Sequence, residues 1–421
     1  MDITLSPTVY HGSVTVPPSK SAAHRAILAA AMAHGRSVIG NVDLSSDILA
    51  TVGACRSLGC TIEVAQSGRY HTLTVDGGLS LADGAMIDCA ESGSTLRFFI
   101  PVACTLEGVK TFTGRGRLPY RPVDAYLSIF DEQNIGYTHP ADANLPLTVS
   151  GSLRGGTYGI DGRVSSQYIT GLLFALPVLK ADSSVSVRGG FESRGYVDLT
   201  VDMLRRFGAK ISVSGDDFTV KGGQRYAPQS ITVEGDYSQA AFFIVAGALK
   251  GDVRIEGLDA LSLQPDSAIV PIMRRMGADL SAEGGALIAK QSSLTGTQID
   301  VSQCPDLVPP LAIAAAFAQG DTRITGAARL RIKECDRLHA LTVNLTALGI
   351  NTAETDNELI IQGGTMTGGT VDTFGDHRIA MAFAVAAARA SGDIVIPDAQ
   401  CIDKSYPKFY DDLKALGGNR Q

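Results

Sequence analysis

The residues with chemical potential gather in short polar steps at the start of apolar segments. These are Ser19-Lys20-Ser21, Gly93-Ser94-Thr95 with Arg97, Ser165-Ser166-Gln167, Tyr237-Ser238-Gln239, Asp306, and Asp376-His377-Arg378. Taken singly, each Ser, Thr or Asp is a good helix N-cap. Capping does not account for Lys20, Arg25, Arg97 and Arg378, because a cation near a helix start opposes the helix dipole by about 0.3–1 kcal/mol. A bound anion reverses that sign, since backbone N–H groups and a cation together cradle a phosphate or carboxylate. Further charges fall between elements: Arg121 in GRGRLPYRPVD, Arg194 in FESRGYVD, Lys333, Glu334, Asp336 and Arg337 in RLRIKECDRLHA, and Lys404 in CIDKSYPKFY. By itself the RLRIKECDR run reads as a solvated helix face. No G-x-x-x-x-G-K-[ST], G-x-G-x-x-G or G-x-S-x-G pattern occurs, so the serines read as hydrogen-bond donors to oxyanions and not as nucleophiles. His377 has no second His at ligand spacing, and no metal site is expected.

Elements on a regular period position these steps. Amphipathic segments ending in a glycine signature (RSLGCTIEV, DEQNIGYTH, LRRFGAKISV, MRRMGADLSA, LTALGINTA, LKALGGNRQ) place Gly59, Gly136, Gly208, Gly277, Gly349 and Gly417 at separations of 77, 72, 69, 72 and 68. Each glycine is expected to end a helix in the left-handed conformation before an alternating strand. A second helix per period begins at each polar step, as in SAAHRAILAAAMAHG or SQAAFFIVAGALKG; these are apolar nearly all round and are expected to be buried. Short alternating pieces bounded by glycine, GDVRIEG, GDTRITG and GDIVIPD, read as strands. The fold class is therefore α/β, built from six α+β repeats, with three repeats in each of two similar domains. Crossings are expected near Pro17-Pro18 and near Tyr226 to Gln229. That makes residues 18–227 an N-terminal domain, and residues 1–17 with 228–421 a C-terminal one.

Composition agrees with this reading. A chain of 421 residues exceeds one core at roughly 100–200 residues per domain. With 45% hydrophobic and 19% charged residues it is not a largely disordered chain. A formal charge of -7 argues against a nucleic-acid coat or a polybasic membrane binder, while leaving room for a local basic pocket. Apolar runs such as Leu307 to Ala318 fall short of the ~18–20 residues of a membrane span, so no transmembrane segment is expected. MDITLSPTVYHG lacks the regions of a secretory signal. Seven cysteines with no C-x-x-C pairing fit a reduced, cytoplasmic setting.

PPSKSAAHR, SGSTLR, YRPVD, VSSQY, CPDLVPPLAIAAA, RIKECDRL, FGDHRIAMA and DKSYPKFY, in this order, resemble the EPSP synthase (3-phosphoshikimate 1-carboxyvinyltransferase) family over essentially the whole chain. The resemblance implies two domains of three repeats around parallel buried helices, the inverse barrel of enolpyruvyl transferases, closing on substrates through two crossover strands. It implies transfer of the enolpyruvyl group of phosphoenolpyruvate to the 5-hydroxyl of shikimate 3-phosphate by a cytoplasmic monomer. It implies that no cofactor or metal is needed, and no nucleic-acid or membrane partner is expected. Matched motif by motif, Lys20, Ser21, Arg25, Ser165, Ser166, Gln167, Ser193, Asp306 and Lys333 are expected at shikimate 3-phosphate. Lys20, Gly93, Arg121, Gln167, Arg337, Arg378 and Lys404 are expected at phosphoenolpyruvate, whose site in this family also takes glyphosate. Lys20, Asp306 and Glu334 are the expected catalytic groups: Asp306 takes the proton of the attacking hydroxyl, and Glu334 with Lys20 manages the proton at the methylene carbon. Two positions depart from the common pattern, Glu91 and Arg329 each standing where many relatives have Asn. The alternatives are a UDP-N-acetylglucosamine enolpyruvyl transferase and a non-catalytic anion-binding homologue. Against the first stand the absence of Cys from GRGRLPYRPVD and the start Pro-Ser-Lys-Ser; against the second stand intact Lys20, Asp306, Glu334 and Arg378.

Overall fold

A computed structural model describes residues 1–82 and 84–417. The last four residues of the sixth glycine signature, 418–421, lie outside the described residues. Among the described residues twelve α-helices occur: α1 (Lys20–Met32), α2 (Ser46–Ser57), α3 (Gly93–Ala103), α4 (Asp124–Gln133), α5 (Ser166–Ala175), α6 (Arg194–Arg206), α7 (Tyr237–Lys250), α8 (Ile269–Arg275), α9 (Val308–Ala316), α10 (Arg337–Ala347), α11 (His377–Ala386) and α12 (Phe409–Ala415). Odd-numbered helices are the apolar ones and are buried: every residue from Tyr237 to Leu249 in α7 and every residue of α9 is buried. Even-numbered helices bury one face. α6 covers Val197, Val201 and Leu204 and leaves Arg205 and Arg206 outside. Five of the six signature glycines sit at helix ends with positive φ, Gly59 at 83° and Gly277 at 95° among them. At the second repeat Asn134 takes the left-handed position (φ 55°) and Gly136 opens the following strand instead. An Asn tolerates that conformation because its side chain is short and polar.

The chain divides into two compact units, Lys20–Val233 and Met1–Ser19 with the segment from Glu234 onward. In the first, three four-stranded sheets share one plan: a strand, a buried helix, a parallel strand, a half-buried helix, then an antiparallel hairpin. Ala85–Asp88, α3, Val109–Thr113, α4, Gly136–Thr138 and Leu147–Ser150 show it within one stretch of chain. Thr157–Asp161 and Ser183–Arg188 flank α5 in the same way. For α1 the first parallel strand comes from far along the chain, because Ser230–Thr232 pairs with Gly35–Val42. α3 lies close against α5 at Gly171, where a side-chain carbon would stand 2.3 Å from the Arg97 carbonyl.

The second unit repeats the plan around α7, α9 and α11, which pack on one another. Here Tyr10–Thr15 is the first parallel strand, pairing with Gly251–Glu256 on the far side of α7. The sixth repeat has three strands, with Ile3–Leu5 antiparallel to Ile394–Ile396 in the place of a hairpin. Within this unit the two passes of the chain run side by side, Ser19 N donating to Glu234 O at 2.7 Å and Asp236 N to Pro17 O at 2.9 Å. Each unit has a hydrophobic core of its own. No described helix is long and apolar enough to cross a membrane.

Candidate active site

In the unit Lys20–Val233 the helix starts hold the expected cations. Lys20 opens α1, and its Nζ lies 2.7 Å from Oδ2 of Asp47 in the first turn of α2. Arg25 is buried: Nε donates to Thr200 Oγ1 at 2.8 Å, Nη1 to the Ser21 carbonyl at 2.7 Å and Nη2 to the Tyr196 carbonyl at 2.9 Å. Those bonds use three of the five N–H donors of a guanidinium and fix its plane over Phe98. Burial pulls its pKa down to about 10, so it stays charged at neutral pH.

Gln167 ties α5 to α3, accepting from Arg97 Nη1 at 2.8 Å and donating to Ser94 Oγ at 2.9 Å. Its own backbone N–H is capped by Ser165 Oγ at 3.3 Å. Arg97, with its other arm on the Pro122 carbonyl at 2.9 Å, is thus an internal strut. Arg121 follows the short turn Leu118–Tyr120, and its guanidinium lies 2.7–3.0 Å from where a side-chain carbon on Gly93 would be. The bare backbone of Gly93 is what admits that cation. The Glu91 carboxylate packs over Gly116, where a side-chain carbon would meet it at 2.8–3.1 Å. Ser21 and Ser166 lie in the first turns of α1 and α5, and Ser193, buried at φ 54°, precedes α6.

In the other unit the charged residues form one continuous cluster about Arg337, the first residue of α10 and 1% exposed. Its Nη1 donates to Asp306 Oδ1 at 2.9 Å, Nη2 to Glu334 Oε2 at 2.9 Å and Nε to Asp376 Oδ2 at 2.7 Å. Asp306 sits in the short turn Pro305–Leu307 leading into α9, and also has Lys333 Nζ at 3.5 Å and Arg378 Nη2 at 3.4 Å. Lys404 Nζ is 4.0 Å from Glu334 Oε1. Burial alone would raise the Asp306 pKa, but the charges of Arg378, Lys333 and Arg337 outweigh it and hold the carboxyl well below the usual range. Burial lowers the Lys333 pKa, with Asp306 opposing and Arg337 reinforcing that shift. Burial also disfavours the charge on Arg337, yet its three carboxylates more than compensate and keep it cationic. The run RLRIKECDR is therefore not a solvated helix face. It is a short turn (Ala328–Ile332), an extended step and a helix start that carry Lys333, Glu334 and Arg337 inward. Arg329 is nine-tenths buried and donates to the Ser302 carbonyl at 3.1 Å.

Asp47 escaped the sequence reading, and Asp376 was read only in part. Asp47 fixes Lys20, yet an acid in a first helical turn is ordinary and sends no signal. Asp376 was legible only as a helix cap. It does accept from Arg378 N at 2.8 Å, and it also buries the Arg337 Nε–H, a pairing no local pattern encodes. Among the described residues no group of His, Cys, Asp and Glu side chains is arranged to hold a metal. The arrangement suits a substrate with more than one anionic group: four cations, Lys333, Arg337, Arg378 and Lys404, stand among carboxylates able to exchange protons.

The sequence profile of EPSP synthase (3-phosphoshikimate 1-carboxyvinyltransferase) matches residues 6–413. The chain belongs to the EPSP synthase family. The 3-phosphoshikimate 1-carboxyvinyltransferase of Clostridium perfringens (strain 13 / Type A) is 45% identical over 99% of this chain and 98% of its own length. That of Clostridioides difficile (strain 630) is 43% identical over 99% and 97%. The EPSP synthase of Acinetobacter baumannii superposes with a TM-score of 0.83 at 29% identity, covering 100% of this chain and 99% of that one. The motifs that pointed to the EPSP synthase family thus sit in a chain that matches its members from end to end.

Proposed function

We propose that this member of the EPSP synthase family transfers the carboxyvinyl group of phosphoenolpyruvate to the 5-hydroxyl of shikimate 3-phosphate, releasing phosphate, with the following division of labour. Lys20, Ser21, Arg25, Ser165, Ser166, Gln167, Ser193, Asp306 and Lys333 hold shikimate 3-phosphate. Lys20, Gly93, Arg121, Gln167, Arg337, Arg378 and Lys404 hold phosphoenolpyruvate. The hydroxyl oxygen attacks C2 while C3 accepts a proton, giving a tetrahedral intermediate. Loss of phosphate from C2 and of a proton from C3 then restores the double bond. Asp306 takes the hydroxyl proton, and Glu334, acting with Lys20, serves C3.

The observation that supports this reading best is that Asp306 and Glu334 share Arg337, each at 2.9 Å. Three cations depress Asp306, and a carboxylate so held is a weak base. Anionic groups of the substrate drawing on Arg378 and Lys333 release that hold, so basicity returns as the substrates arrive. The same cations then stabilise charge collecting on the intermediate, the larger contribution in sites of this kind. A crystal structure with shikimate 3-phosphate and a phosphoenolpyruvate mimic tests the assignment. The phosphate of shikimate 3-phosphate is expected on Ser165, Ser166 and Gln167, and the mimic on Arg121, Arg378 and Lys404. Either ligand bound elsewhere contradicts it.

The reading extends to a cytoplasmic monomer made of two domains, whose boundaries lie at Lys20 and Val233 and not at 18 and 227, because Ser230–Thr232 pairs with Gly35–Val42. Seven free cysteines, six of them buried, support a reducing compartment. Sedimentation of the purified chain at one subunit mass is the expected result.

A further inference from the structure

Behind the Lys20–Asp47 pair lies a row of buried hydroxyls that the proposed chemistry does not use. His24 stands one helical turn after Lys20 on α1, and Thr51 one turn after Asp47 on α2, so the two helices are joined by two rungs on one face. The first rung is the ion pair at 2.7 Å and the second is His24 Nδ1 to Thr51 Oγ1, also 2.7 Å. The row continues from Thr51 Oγ1 to Thr95 Oγ1 at 2.8 Å and from Thr95 Oγ1 to Ser92 Oγ at 2.8 Å. Ser92 is the N-cap of α3, accepts the Thr95 N–H at 3.1 Å as well, and immediately precedes Gly93. His24, Thr51, Thr95 and Ser92 are each at most 1% exposed, so bulk water does not substitute for a missing member.

The protons in this row have one order. Thr95 spends its hydroxyl hydrogen on Ser92, so it accepts from Thr51; Thr51 has then spent its own and must accept from His24 Nδ1–H. Nε2 of His24 is left as a bare acceptor, buried and without a hydrogen-bond partner among the described residues. Burial lowers the His24 pKa to about 3, with Lys20 and Arg25 adding to the shift and Asp47 opposing it, so the ring stays neutral and the order does not change near neutrality.

We propose that this directed relay, His24 to Thr51 to Thr95 to Ser92, is a positioning device. It locks the register of the helix start bearing Lys20 against the Gly93 turn, and so sets affinity for phosphoenolpyruvate, assigned to both of those ends, more than for shikimate 3-phosphate, assigned to the Lys20 end and not to Gly93. The residues act through Lys20 and Gly93 and touch no substrate themselves. The inference rests on the assignment of phosphoenolpyruvate to that turn. A buried lattice of hydroxyls fixes helix starts more tightly than apolar contacts do, because each bond has one length and one direction.

Thr51→Val keeps the shape of the side chain and removes the central hydroxyl. It should raise the KM for phosphoenolpyruvate roughly tenfold, the size of effect expected for one lost positioning bond, while the KM for shikimate 3-phosphate rises by a clearly smaller factor. Thr51→Ser should restore the parent value. Equal changes in both KM values, no change in either, or no rescue by Ser overturns the proposal. Nitrogen NMR of the unsubstituted protein, with labelled histidine, tests the relay without any variant. His24 should show a protonated Nδ1 and an unprotonated Nε2 from about pH 6 to pH 8, and the opposite tautomer overturns it even if Thr51→Val does not fold. Should the tautomer and the variant behave as expected while phosphoenolpyruvate binds away from Gly93, the relay stands as a helix lock and the substrate assignment fails instead.

Discussion

Arg337 hydrogen-bonds three carboxylates at once, those of Asp306, Glu334 and Asp376. Glu334→Gln keeps the shape and the bond to Arg337 while removing the exchangeable proton. Turnover should fall ~100- to 10,000-fold with substrate binding retained, and nearly unchanged turnover in a steady-state assay would remove Glu334 from the chemistry. Asp306 gives a pH signature. Its folded pKa lies below the unfolded one, so its contribution to stability is complete above the ordinary Asp value of about 3.9 and fades as pH falls through the depressed folded value. The difference in denaturation midpoint between the parent and Asp306→Asn should therefore be full near pH 7 and narrow below about pH 4, and a gap independent of pH would contradict the charge clamp. At Gly93 an added methyl meets the Arg121 guanidinium at 2.7–3.0 Å, and a flexible arm can shift where a backbone cannot. Gly93→Ala should raise the KM for phosphoenolpyruvate somewhat and the glyphosate inhibition constant more. An unchanged ratio of the two places the turn outside the inhibitor pocket. Lys20 and Arg378 were legible because a cation at a helix start needs an anion to justify it. The clamp on Asp306 was not, because its strength comes from burial and from residues on three separate elements.

Elements set these distances, and α5 against α3 is the clearest case. Gly171→Ala would place a carbon 2.3 Å from the Arg97 carbonyl and 2.5 Å from Tyr126 Oη, and the carbonyl belongs to a helix backbone with nowhere to go. Destabilisation of about 1–3 kcal/mol is expected in urea titration, together with a weaker grip of Gln167 on Ser94 and Arg97. Gly53→Ala in α2 is the matched control: nothing lies within 4 Å, and a gain of about 0.5–1 kcal/mol is expected from helix propensity. Loss of stability in both, or in neither, would sink the close-packing argument. The apolar helices were legible from their uniform hydrophobicity, and the half-buried ones from their closing glycines. The exception at Asn134 was hidden because Asn and Gly compete for the same left-handed position two residues apart, and the fit of the chain behind them decides.

Across the chain the period of about seventy residues is written plainly in the glycines, since five of the six close a helix in the left-handed conformation. Partner choice among strands is not written there. Tyr10–Thr15 joins Gly251–Glu256, and Ser230–Thr232 joins Gly35–Val42, pairings fixed by which parallel edge each buried helix leaves open. Enzyme class rests on the whole chain, as the match over residues 6–413 does, and substrate choice rests on the residues that hold two different anions. Phosphate release from phosphoenolpyruvate, followed with shikimate 3-phosphate and separately with UDP-N-acetylglucosamine as acceptor, tests that choice most directly. A preference for shikimate 3-phosphate gives phosphate and 5-enolpyruvylshikimate 3-phosphate in equal amounts with the first acceptor and only background with the second. Release with the amino sugar, or none with shikimate 3-phosphate from a folded chain, would contradict it.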